Sequence, residues 1–402
     1  MTSPVKLAAA MAVALAALPL QAAQPLQAAR STDQVPTRVE SAPLPADAGE
    51  RDPVSFAWAL DPTQALTDPA PFVAVSRSYW EMVDGSVLQQ GVALPMTAPD
   101  AVIQVSPAPG ARPLTPAQWQ LRDPAGVLKV EQVVDSEQLQ AAGMPVSAGT
   151  AMARTGKAAA AGTYRLQSTQ AQGRYVVQVL EPNSPISLRL QSSRDQVLAG
   201  GTLTVSAQLV DDGGNTQAGA ARNLVRSLPA GGEALLVAPD GRSWPVPLRA
   251  GKTGLTAQVT VPQDVGNAQG LWELQTFISA NGVQRDAKIA FAVAQATARF
   301  SGQVQADAGT RVLQLPLQVG APGRYEARGT LYATGSDGQL RPVAQAHSAA
   351  WFNSAGAGTL SLPFDSVALP KGYGAPFQVR ALELRDQTRM APIESRAVGV
   401  NF

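Results

Sequence analysis

The chain has 402 residues, of which 45% are hydrophobic and only 15% charged, with 31 basic and 30 acidic side chains and a single histidine. Its length has room for roughly two to four domains, and its charged fraction is well below the ~25% usual for soluble domains. A near-neutral balance without a Lys/Arg cluster gives no electrostatic footprint for nucleic acid or an anionic membrane, and the absence of cysteine excludes disulfides, thiol catalysis and a lipidated N-terminal cysteine.

The N-terminus has the pattern of a secretory signal over 1–23. Lys6 supplies the positive charge, Leu7 to Leu20 is apolar, and Ala22 and Ala23 offer small residues for cleavage. The apolar run is shorter than the ~20 residues of a spanning helix, and no other stretch reaches ~18, so the mature chain is expected to be soluble and without a membrane span. Lys6 is the only charge removed, which leaves 30 basic and 30 acidic groups. Export to the periplasm or beyond is the expected localisation. Residues 24–52 are Ala, Gln, Pro and Ser with scattered charges and no aromatic, and are expected to form a disordered leader.

Three folded units are expected to follow. The first, 53–182, is β-rich, with strands at 72–75, 102–105, 119–122, 127–134 and 175–180. It also holds one short helix over Ser136 to Ala142, with Ser136 as N-cap and Gly143 just past the end. Ala158 to Ala161, bracketed by Gly156 and Gly162, reads as a loop. The second unit, 183–296, has alternating strands at 186–190, 203–210, 234–237, 255–261, 272–278 and 288–293, with turn dipeptides Asp240-Gly241 and Asn281-Gly282. The third, 297–402, repeats the progression at 303–305, 312–319, 325–333, 343–352, 358–363 and 377–384. Pro316 inside its second strand reads as an edge marker.

The second half says nearly the same thing twice. Gly201 to Val210 runs into Asp211-Asp212-Gly213-Gly214-Asn215, and Gly323 to Ala333 runs into Gly335-Ser336-Asp337-Gly338. Each is an alternating strand ending in an Asp/Gly turn. The fold class is therefore all-β: three tandem domains, of which at least the last two are immunoglobulin-like β-sandwiches.

Tyr325-Glu326-Ala327-Arg328-Gly329-Thr330-Leu331-Tyr332, His347-Ser348-Ala349-Ala350-Trp351, Gly374-Ala375-Pro376-Phe377 and Asp386-Gln387-Thr388-Arg389-Met390-Ala391 resemble a recurring C-terminal module. It belongs to proteobacterial exported proteins known as a domain of unknown function and built from several immunoglobulin-like domains. The resemblance spans residue 53 to the C-terminus and implies an exported three-domain β protein with no assigned reaction. It brings no catalytic residues.

The residues themselves carry little chemistry. One histidine, His347, excludes a multi-histidine zinc site. With no Gly-x-Ser-x-Gly elbow it reads as a hydrogen-bonded structural residue rather than a triad base. Asp211, Asp212 and Asn215 crowd a turn with oxygen ligands that could hold calcium, although any hairpin turn selects the same residues. Glu81 with Asp84, and Asp135 with Glu137, are neighbouring acids of the kind a glycosidase pairs, but they read as solvated charges. Gly213-Gly214 and Gly231-Gly232 lack the rest of a phosphate loop. Tyr79 and Trp80 must point to opposite faces of a strand, so one can be exposed as a platform for a sugar, although structural packing is the default reading for each aromatic. Trp58 and Trp119 fall in the same first unit, while Trp272 and Trp351 read as core. No catalytic, cofactor-binding or metal-ligating residue is assigned. The expectation is an exported, non-enzymatic, multi-domain protein that binds a protein or glycan of the envelope, secreted material or a host surface. Two alternatives stand beside it: a hydrolase of polysaccharide or peptide with its site in 53–181, and a periplasmic chaperone-like protein that pairs clients with an exposed edge strand.

Overall fold

Period-two alternation governs the strands. In Thr202–Asp211, Leu203, Val205, Ala207 and Leu209 are buried while Thr204, Ser206 and Gln208 face the other way. The computed structural model describes residues 22–46, 49–68, 70–127, 132–211, 222–223, 232–251, 254–266, 270–280 and 282–402. They form tandem β-sandwich domains in two compact units, one made of residues 68–294 and the other of 1–67 with 295–402. Most of residues 1–23, expected to be a secretory signal, and the turn residues Asp212 and Asn215, lie outside the described residues, as do Asn281 and Gly213-Gly214.

The 68–294 unit is built on one long sheet. Its order is Ser243–Val246, Gly232–Val237, Trp272–Ala280, Val283–Ala294, Ser78–Asp84, Arg174–Leu180, Val102–Pro107, Ala151–Arg154 and Gln132–Val134. Two further sheets are packed with it. Val92–Met96, Gly162–Gln167 and Gln120–Arg122 complete the first sandwich. Leu248–Ala250, Leu255–Thr260, Thr202–Asp211, Ile186–Ser192 and Val73–Ser76 complete the middle one. Each sandwich has its own core, around Ile103, Tyr164 and Tyr175 in the first and around Leu188, Leu274 and Phe291 in the middle one. Val73–Ser76, from the first segment, pairs with Ile186–Ser192 and so stitches the two sandwiches together.

Among the described residues there are two short α-helices. Ser136–Ala141 is capped by Asp135, whose carboxylate accepts the Gln138 N–H while the Gln138 side chain returns to the Asp135 N–H. The N-cap is thus one residue earlier than expected from Ser136, and an acid at that position also suits the helix dipole. Gly85–Gln90 was not expected from the sequence. Residues 158–161 hold no helix.

In the other unit, a sheet of Val54–Ala59, Leu340–Phe352, Gly323–Gly335, Tyr373–Asp386 and Ala391–Asn401 stands beside a second of Ala22–Pro25, Gln303–Ala306, Val312–Val319, Ala298–Phe300 and Gly356–Pro363. The hairpin after Gly323–Gly335 closes at Asp337-Gly338, where Gly338 has φ of 75°. The Tyr325 hydroxyl donates to the Ala321 carbonyl at 2.7 Å, and Tyr164 of the first sandwich does the same to Ala160 at 2.9 Å. Both tie a strand back to backbone four residues upstream, the corner device of Greek-key sandwiches.

Three expectations are corrected here. Residues 24–52 are not a free leader where described. They run along the C-terminal sandwich, held by arginines that donate to their carbonyls: Arg396 to Gln27 (2.8 Å), Arg299 to Thr37 (2.9 Å), Arg389 to Pro43 (2.8 Å), and Arg324 to Asp52. Gln34 and Ser395 exchange backbone hydrogen bonds at 2.8 and 3.0 Å. Strand Val54–Ala59 joins the C-terminal sheet through Leu340–Phe352, so Trp58 does not share a unit with Trp119. Pro316 is not on an edge. Val312–Val319 pairs with Gly356–Pro363 on one side and with both Ala298–Phe300 and Gln303–Ala306 on the other. Pro316 falls in the gap between those last two, where no donor is required of it, and its carbonyl accepts the Ser301 N–H at 2.8 Å.

Candidate binding cleft

The cleft arises where the long sheet passes from the middle sandwich to the first. Val283–Ala294 and Ser78–Asp84 share one ladder pair, Asp286 with Ser78. Beyond it the Asp286 carboxylate takes over from the backbone and accepts the Trp80 N–H at 2.6 Å. Strand alternation then sorts the side chains. Tyr79 is buried and donates its hydroxyl to the Pro95 carbonyl at 3.1 Å, while Trp80 is 37% exposed. The Trp80 ring meets Phe277 edge to face, 5.3 Å between centroids at 80°. Glu233, Phe277 and Asp286 lie opposite one another on three adjacent strands and so share a face. Together with Gln284 and Glu81 they line a cleft of about 420 Å³, within the ~300–1,000 Å³ range of small-molecule sites.

Burial governs the acids. It pushes the Asp286 carboxyl up to about 6, against the opposing pull of the Trp80 N–H and the Arg285 charge, and it raises Glu81 as well. One oxygen of Glu81, Oε1, is buried without a hydrogen-bond partner. Lys288, two residues beyond Asp286, is engaged with Glu273 at 2.9 Å.

Beneath the cleft is a fully buried ion pair, Arg285 with Glu181 at 2.7 Å. Arg285 donates further to Thr97 Oγ1 and Ser184 Oγ (2.8 Å each) and to the Ile186 carbonyl (3.1 Å). Glu181 accepts the backbone N–H groups of Thr97 and Ala98. The ion pair and the Arg285–Thr97 bond therefore cross the junction of the two sandwiches, and burial draws the guanidinium below its ordinary range while the Glu181 charge opposes the shift.

The residues singled out in the sequence are dispersed. Glu81 is in the cleft, but Asp84 is at the other parity and precedes helix Gly85–Gln90. Asp135 and Glu137 serve a helix start. His347 Nδ1 lies 2.6 Å from Glu326 Oε1, with the Phe56 and Trp58 rings 5.5 and 5.1 Å away, as suits a hydrogen-bonded structural histidine. Trp119 and Trp272 are buried, whereas Trp351, expected in the core, is half-buried beneath the Arg51 guanidinium. Among the described residues no three of His, Asp and Glu are grouped to hold a metal ion, and no helix is long and apolar enough to cross a membrane.

Sequence reasoning missed Glu233, Asp286 and the buried pair. A signal for the pair existed: Arg285 has the parity of Val283, Ala287, Ile289 and Phe291, and Glu181 that of Tyr175, Val177 and Val179. Opposite charges at two inward positions imply that they meet.

Fold and cleft together define a protein of tandem β-sandwiches that carries a recess on a shared sheet. Residues 45–181 match the N-terminal domain, and residues 297–401 the C-terminal domain, of the family described as domain of unknown function DUF4785, and the chain belongs to that family. The crystal structure of a DUF4785 family protein from Legionella pneumophila superposes with a TM-score of 0.65 at 18% identity, covering 92% of this chain and 98% of that one, which shows the shared fold. A tandem-repeat fragment from the extending region of a large adhesion protein aligns over 82% of this chain and 74% of its own at 13% identity. Its TM-score is only 0.17, and it carries no argument. No curated protein matches the chain.

Proposed function

We propose that this chain is an exported, non-enzymatic, multi-domain β protein that acts by binding a protein or glycan component of the cell envelope, of secreted material or of a host surface. The observation that carries the reading is the cleft at Trp80, Phe277 and Asp286, set on a sheet common to two sandwiches and backed by the Arg285–Glu181 pair. Such a base holds ligand-facing groups in place before the ligand arrives, which lowers the ordering cost of binding. The pattern of Lys6 and the Leu7–Leu20 run supports export, and a cysteine-free chain folds without an oxidising catalyst. Fractionation of expressing cells, with N-terminal sequencing of the mature chain and capture on isolated envelope fragments, tests it. Export with saturable capture is expected; a cytoplasmic, uncleaved chain that captures nothing overturns it.

One observation favours hydrolysis as a second reading: Glu81 and Asp286, both raised by burial, open on one cleft beside an exposed indole. A raised carboxyl suits a general acid. Turnover of polysaccharide by the purified chain, lost in both Glu81→Gln and Asp286→Asn, would establish it in place of the binding reading. Edge-strand pairing also has an observation on its side. Val54–Ala59 ends its sheet with Val54, Phe56 and Trp58 exposed, and client peptides protecting its amides from hydrogen exchange would be the sign of it.

A further inference from the structure

Resting on the binding reading, we infer that the cleft between Ser78–Asp84 and Val283–Ala294 takes an uncharged sugar ring of an oligosaccharide, with the Trp80 indole as its stacking surface. Three features of the recess carry this. Trp80 is a large flat side chain that remains 37% exposed although its strand is in mid-sheet, while its neighbour Tyr79 is packed away at 3%. The edge-to-face contact with Phe277 fixes its orientation. The C–H-rich face of a pyranose is a good partner for an indole face, because it gives up little hydration on stacking.

Around the ring stand groups suited to hydroxyls. Glu81, in the cleft wall, has one carboxylate oxygen buried without a hydrogen-bond partner. Asp286 uses Oδ2 for the Trp80 N–H, and Oδ1 has no hydrogen-bond partner among the described residues. Glu233 adds a third carboxylate, and Gln284 an amide able to donate and accept. Hydroxyl groups both donate and accept, so a sugar satisfies this mixed set in either protonation state of the acids. A fixed cation pairs only with the acids and leaves the donor half of the Gln284 amide unused. An apolar ligand would leave the acids unsolvated and unpaired.

The test is calorimetric titration of the full mature chain with soluble hexaoses of β-1,4-linked glucose, α-1,4-linked glucose and β-1,4-linked N-acetylglucosamine, with spermidine as the cationic comparison. Binding of at least one hexaose is expected. Trp80→Ala should weaken it by about tenfold or more, equivalent to ~1.4 kcal/mol, Trp80→Phe should retain most of it, and Glu233→Ala should weaken it severalfold. Thermal melts check that each variant is folded, and Glu233→Ala, on a separate strand, keeps the test decisive if Trp80→Ala does not fold. The inference is overturned if no hexaose binds, if Trp80→Ala or, where that variant does not fold, Glu233→Ala leaves affinity unchanged, or if spermidine binds and the sugars do not. Capture on envelope fragments separates this failure from that of the parent reading. Capture that persists after periodate oxidation of the glycans but is lost to protease sinks the sugar and keeps the binder; no capture at all sinks both.

Discussion

Arg285 and Glu181 show how one pair of side chains ties two hydrophobic cores. Neither has any exposed side-chain surface, so removing one partner strands the other charge in a dry site. Arg285→Met is expected to destabilise the 68–294 unit by about 3–5 kcal/mol in chemical denaturation. The double replacement Arg285→Met with Glu181→Leu is not expected to recover the loss, unlike many buried pairs, because Glu181 also accepts the N–H groups of Thr97 and Ala98 and these would be orphaned. Asp286 gives a different signature. Its carboxyl titrates near 3.8 when unfolded and about 6 when folded, so the folded state holds the proton more tightly. Its contribution is most favourable below about pH 4 and is lost as pH rises through about 6. Asp286→Asn, which keeps an acceptor for the Trp80 N–H, is therefore expected to match the parent at pH 4. At pH 8 it should be more stable by about 1–2 kcal/mol, after allowance for solvent screening. Denaturation curves across that range check the sign.

At the scale of elements, the segment 24–52 is the instructive case. Its composition holds too little apolar surface to order itself, and that reading of its side chains is sound. What orders it is backbone: its carbonyls are the acceptors for Arg299, Arg324, Arg389 and Arg396, residues distant in sequence. Gly320 lets it pass closely, since a Cβ there would sit 2.6 Å from the Glu40 carbonyl oxygen. Arg389→Ala, which removes donors to Ala42, Pro43 and Pro322 and the 2.7 Å pair with Asp386, is expected to speed proteolysis within 24–52 severalfold, and Gly320→Ala to do the same. Limited digestion followed by mass spectrometry reads the cleavage sites. Unchanged cleavage in both variants would mean that the arginine clamps do not hold the segment.

For the whole molecule, the shared sheet has a thermodynamic consequence. The first and middle sandwiches have separate cores but one continuous sheet, a strand exchanged through Val73–Ser76, and a common ion pair. Residues 68–294 are expected to unfold in a single cooperative transition, with calorimetric and van't Hoff enthalpies equal. A fragment of 183–296 alone would leave Arg285 without Glu181 and Ile186–Ser192 without its Val73–Ser76 neighbour, and is expected to be unfolded or molten by circular dichroism and proton NMR. Two resolved transitions in the 68–294 fragment would show that the sandwiches are thermodynamically independent.

The sequence by itself determined the class of the fold and the positions of most strands, because burial with a period of two is a local property written into neighbours such as Leu203, Val205 and Ala207. It also separated Tyr79 from Trp80, and it placed the Asp337-Gly338 turn, since both follow from backbone geometry over a few residues. Only the tertiary structure decided which sheet receives Val54–Ala59, why Pro316 is tolerated in a strand paired on both sides, what orders 24–52, and that Trp80, Glu81, Glu233 and Asp286 converge. The physical reason is common to all four. Strand pairing and backbone hydrogen bonding are blind to sequence separation and largely to side-chain identity, so the partner of a given strand, carbonyl or carboxylate is fixed by the topology of the whole sheet.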